Sequence, residues 1–86
     1  MEQKIQSALD WPEVRNELRA ALAKISYNHD LYKMLSNIDN MITELSKEEV
    51  TARQRKNDTV VTTKIKSINE SIQYVEKMLL YFALAN

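Results

Sequence analysis

The stretch that decides the fold is RKNDT, residues Arg55 to Thr59. It is the one convincing loop in the second half of the chain. Asn57 can take the left-handed conformation that ends a helix, and Asp58 or Thr59 can cap the next one. Before it, Leu31, Leu35, Ile38, Ile42, Leu45, Glu49 and Ala52 recur at alternating steps of four and three. After it, Val61, Ile65, Ile68, Ile72, Val75, Leu79 and Phe82 repeat the same spacing. Each series is a heptad seam, a single apolar stripe along one helix.

The two seams mirror each other about the loop. Paired antiparallel, Ala52 meets Val61, Leu45 meets Ile68, Ile38 meets Val75 and Leu31 meets Phe82, all with one and the same summed residue number. Glu49 with Ile65, Ile42 with Ile72 and Leu35 with Leu79 give a sum one higher. This register predicts an antiparallel coiled-coil hairpin, 30–56 against 59–85, with arms roughly 40 Å long at 1.5 Å per residue. It also sets Glu49 near Lys64, Tyr74 beside Asp39 and Asn69 beside Glu44.

Working outward, Ser26 to Asp30 reads SYNHD. These are modest helix formers, and Asn28 or Asp30 can cap a new helix. The segment is either a break between two helices or a polar patch inside one long helix, and the break is preferred. Upstream, Val14, Leu18, Ala21, Leu22 and Ile25 fall at helical spacing and predict a helix over 12–26. Asp10, Pro12 and Glu13 form its start signal: a capping aspartate, a proline tolerated in the first turn, and an acid three residues after the cap. Residues 1–9 offer only Ile5, Ala8 and Leu9, and read as a weak helix or a mobile arm.

Composition agrees with an all-α fold. The 86 residues contain no glycine and one proline, too few for the tight turns of a sheet. They suit one small helical domain. Twelve basic and twelve acidic residues cancel, so the chain as a whole is not built for a phosphate backbone or an acidic membrane. No cysteine is present, which excludes a disulfide framework and fits a reducing, cytoplasmic setting. The longest apolar run, Met78 to Ala85, is far short of the roughly 20 residues a membrane span needs.

That run, MLLYFALA, poses its own question. Leu79 and Phe82 belong to the seam, but Met78, Leu80, Tyr81 and Leu84 fall on its flanks. Tyr32, Met34 and Met41 are matching extras on the preceding helix. The open end of the hairpin is therefore apolar nearly all round. The 12–26 helix is expected to cover part of it, with Trp11 as an anchor, giving a three-helix bundle at that end. The remaining surface predicts an oligomer, most simply a dimer, or a helical surface on another protein. Trp11, Tyr32, Met34, Met41, Tyr74, Met78, Tyr81 and Leu84 are the candidate interface residues.

No catalytic, cofactor or metal constellation stands out. His29 is the only histidine and has no ligand-spaced neighbour. Asp39, Glu44, Glu48 and Glu49 lack matching carboxylates across the hairpin, as a catalytic pair would require. LSNIDNMITEL resembles the first helix of a helical chorismate mutase, but that activity needs arginines where Ser36, Asn37 and Asn40 stand. The hairpin tip is locally basic, and Arg53, Arg55, Lys56 and Lys64 are candidate phosphate contacts. The aromatics all lie at the other end, so no stacking platform accompanies them. The sequence thus predicts a non-enzymatic interaction module, with a nucleic-acid-associated accessory factor as the alternative.

Overall fold

The computed structural model describes residues 4–55 and 58–85. Among them are three helices and no strand: α1 (Trp11–Leu22), α2 (His29–Arg55) and α3 (Thr59–Ala85), with a short 3-10 turn, Ala8–Asp10, ahead of α1. α2 and α3 share the most extensive contact, and α1 packs against both. The molecule measures 49 × 22 × 18 Å. Its long dimension is close to one 27-residue helix, roughly 40 Å.

α1 is amphipathic, and Trp11, Val14, Leu18 and Leu22 form its buried stripe. It ends at Leu22, four residues earlier than the periodicity through Ile25 suggests. The backbone tightens there: Lys24 N–H donates to the Ala21 carbonyl and Ile25 N–H to the Leu22 carbonyl. Ile25 still packs on the core from this turn. The break at SYNHD is real. Asn28 Oδ1 accepts the Leu31 N–H at 3.1 Å, capping the first turn of α2. At α3, the Asp58 carbonyl accepts from the Thr62 N–H. The role expected of Asn57 lies outside the described residues.

The core joins all parts of the chain. From α2 it takes Leu31, Leu35, Ile38 and Leu45, and from α3 it takes Ile68, Ile72, Val75 and Leu79. Ile42, Val61, Ile65 and Phe82 pack against it half-buried. One member comes from outside the helices: Ile5 is 0% exposed. From Lys4 on, the segment before α1 is thus not a loose arm, and among its described residues only 8–10 are helical. Asp10 does not cap α1 with its side chain. Its carboxylate turns back and accepts the Gln6 N–H at 2.8 Å, while Ser7 Oγ accepts from Leu9.

Candidate interaction surface

Three polar side chains on the long helices position the N-terminal segment. Asn69 is the only buried polar residue among the described residues, at 4% exposure. Its Oδ1 accepts the N–H groups of Lys4 at 2.8 Å and Ile5 at 3.0 Å. Its Nδ2 donates to the carbonyls of Ile5 at 2.9 Å and Ile65 at 3.0 Å. Every hydrogen-bonding site this amide needs in a buried setting is thereby filled. Glu49 Oε1 accepts the Ala8 N–H at 3.0 Å. Asp39 Oδ1 accepts from Trp11 Nε1 at 2.7 Å. Arg15 Nε approaches the same oxygen at 3.3 Å, an ion pair without hydrogen-bond alignment.

These contacts give the same side chains partners that the seam register does not name. Glu49 meets the Ala8 N–H, Asp39 meets Trp11 and Arg15, and Asn69 meets Lys4 and Ile5. Glu44 pairs with Lys47, one turn away, at 3.5 Å. The reason is common to all three. The N-terminal segment and the start of α1 lie on one flank of the α2–α3 pair, so Glu49 and Asn69 meet backbone groups there and Asp39 meets the Trp11 and Arg15 side chains.

The candidate interface residues fall into different settings. Trp11 is 4% exposed and spent inside the chain, on the core and on Asp39. Tyr32 is half-buried and stacks on Tyr27, ring centroids 5.2 Å apart. Met34, Met41 and Tyr74 come together, lining an open groove of about 430 Å³ with Ile38, Ser67 and Ser71. Met78 is half-buried against the core. Tyr81 is 63% exposed, its ring meeting Phe82 edge-on, and Leu84 is exposed as well. α1 covers neither of them. It lies instead along Leu79, Leu80 and Ala83, where a second open groove of about 660 Å³ runs between α1 and α3.

At the basic tip, Arg53 is exposed and Lys64 is half-buried. Lys64 lines a small depression with Met41, Glu44, Ser67 and Ile68. Lys56 and the Arg55 side chain lie outside the described residues. His29 opens α2, its Nδ1 3.5 Å from the Tyr27 hydroxyl. Among the described residues no three His, Asp or Glu side chains are placed to hold a metal ion. No helix among them is long and apolar enough to cross a membrane. No protein-family model matches the chain, and no curated protein or solved structure matches it.

Proposed function

We propose that this chain is a non-enzymatic helical interaction module. In this reading α2 and α3 form an antiparallel hairpin braced on one flank by α1 and the N-terminal segment. The chain associates with a second copy or with a helical surface of a larger protein, as an adaptor, a small chaperone or an inhibitor. Shape supports the hairpin: only residues 56–58 separate the two helices, and the longest dimension is 49 Å. Laid end to end, they would need roughly 80 Å. The grooves support it too, since 34–41 line one with 67–74, and 41–44 line the next with 64–68.

The observation that carries the functional reading is the Met/Tyr face. Tyr74 and Tyr81 are more than half exposed, beside the half-buried Met34, Met41 and Met78. Methionine adapts to irregular partner surfaces, and tyrosine is enriched at interfaces. The α2 wall of the groove beside Tyr74 carries Met34, Ile38 and Met41, and its α3 wall Ser67, Glu70, Ser71 and Tyr74, an apolar side facing a polar one, which suits an amphipathic helix.

The test replaces Tyr74 and Tyr81 together with Gln, a good helix former, at two largely exposed positions. Melting temperature should stay at the parent's value. Affinity capture from the native organism should recover a specific protein with the parent and lose it with the variant. Equal capture by both would remove the Met/Tyr face from the contact. If the parent captures nothing specific and sediments at 10.0 kDa at every concentration, the reading fails.

A further inference from the structure

We infer that the groove between α1 and α3 seats a second copy of this chain, through antiparallel pairing of α1 with the second copy's α1. The inference rests on the reading of the chain as an interaction module, and it names the face on which the chain meets itself.

The groove has an apolar floor and a patterned wall. Val14, Leu18, Leu79 and Ala83 lie along it, and Leu80, on its α3 side, is 62% exposed. Leu84, one turn beyond Leu80, is 80% exposed and prolongs the apolar surface. On the α1 side the wall carries Glu17, Ala20, Ala21 and Lys24 in that order. The groove's other charges, Lys4 and Glu76, already pair with each other at 3.5 Å. Glu17 and Lys24 have no ion-pair partner among the described residues.

A twofold interface must be self-complementary, with each patch meeting its own copy. The α1 wall meets that condition in one orientation. Laid antiparallel about a point between Ala20 and Ala21, each Glu17 faces the second copy's Lys24, in the turn that follows α1, and alanine faces alanine at the centre. Laid parallel, glutamate would face glutamate and lysine would face lysine. The central alanines let two helix axes come within about 8 Å, the near end of the usual packing range.

Charge reversal tests the pairing in the full chain. Glu17→Lys alone and Lys24→Glu alone each place two like-charge contacts in the dimer. Each should raise the dissociation constant about tenfold, read by sedimentation equilibrium. Mixing the two variants restores opposite charges at both contacts, so the mixed pair should regain the parent's dissociation constant. The double variant within one chain should do the same. Ala20→Arg, at the centre, should abolish the dimer. Far-UV circular dichroism should be unchanged throughout, since all three positions are exposed. A parent that stays monomeric overturns the inference, while partner capture through the Met/Tyr face would still stand. A parent that dimerises, with reversals and Ala20→Arg that do not weaken it, also overturns the inference and moves self-association to another face.

Discussion

Truncating Asn69 to alanine should undock the N-terminal segment and leave the α2–α3 pair folded. The amide makes three bonds to that segment, at 2.8, 3.0 and 2.9 Å, and a fourth to its own helix. A buried neutral hydrogen bond contributes about 1 kcal/mol net, so losing the three costs about 3 kcal/mol. The loss cannot spread far, because the segment has a way out. By detaching, it returns its N–H and carbonyl groups to water and gives up the Ile5 burial, worth about 1.5–3 kcal/mol. The effect should therefore appear as local opening.

Native-state hydrogen exchange separates local from global effects. The amides of Lys4, Ile5 and Ala8, bonded to Asn69 and Glu49 in the parent, should lose protection roughly a hundredfold in the variant. Amides at Ile38 and Ile72, deep in the core, should change far less. Parental protection at Ile5 in Asn69→Ala would refute the reasoning. Equal loss at Ile5, Ile38 and Ile72 would also refute it, by showing that the segment is cooperative with the whole fold.

Trp11→Phe keeps most of the buried ring but removes the bond to Asp39. Because the Asp39 side chain is 39% exposed, denaturant titration should show a loss of about 1–2 kcal/mol, low in the range for bonds to charged groups. Asn28→Ala removes the α2 cap and should lower the melting temperature by roughly 4–8 °C for a loss of about 1 kcal/mol, while Asn28→Asp should restore most of it. Cysteines at Ile38 and Val75 should crosslink within one chain under mild oxidation, and cysteines at Ile38 and Ile65 should not; the reverse pattern would exclude the proposed hairpin register. Replacing Arg53, Arg55 and Lys56 with Gln should change stability by less than about 1 kcal/mol and leave partner capture intact. Lost capture with the fold intact, together with a steep salt dependence in the parent, would favour phosphate recognition at the tip.

The helices were legible because their signals are local. Heptad spacing, the proline at the α1 start and the Asn28 cap each depend on residues within a turn or two. The N-terminal segment was not legible, because what holds it is separated from it by 64 and 65 residues in sequence. Its pattern even misleads: Ile5 is fully buried, yet Leu9, equally apolar, is 83% exposed. The signals that did exist were polar residues in apolar surroundings. Glu49 sits in the seam of α2, and Asn69 follows Ile68 in α3. Each announced a polar partner without saying which. The register suggested side chains across the seam, but three of the groups they bind are backbone N–H, which composition cannot reveal. The start signal at Asp10 was sound in residue type and wrong in partner, because the non-helical chain just before it presents the Gln6 N–H to the same carboxylate.

This arrangement explains how one flank is closed and another stays open. The long-helix pair offers two flanks with apolar side chains: one with Leu79, Leu80 and Ala83, the other with Met34, Met41 and Tyr74 beside Ser67, Glu70 and Ser71. Apolar burial is non-directional, so burial alone would let α1 settle on either. Asn69, Glu49 and Asp39 remove that degeneracy. All three bond to groups between Lys4 and Trp11, so docking on the Met/Tyr flank would strip Asn69 of three of its four bonds or force it open to water. An unpaired buried amide costs about 1–3 kcal/mol, a preference of roughly five- to a hundredfold for the observed flank before the other two bonds are counted. The polar keys thus act chiefly on specificity. They fix the N-terminal segment to one side and leave the Met/Tyr groove open.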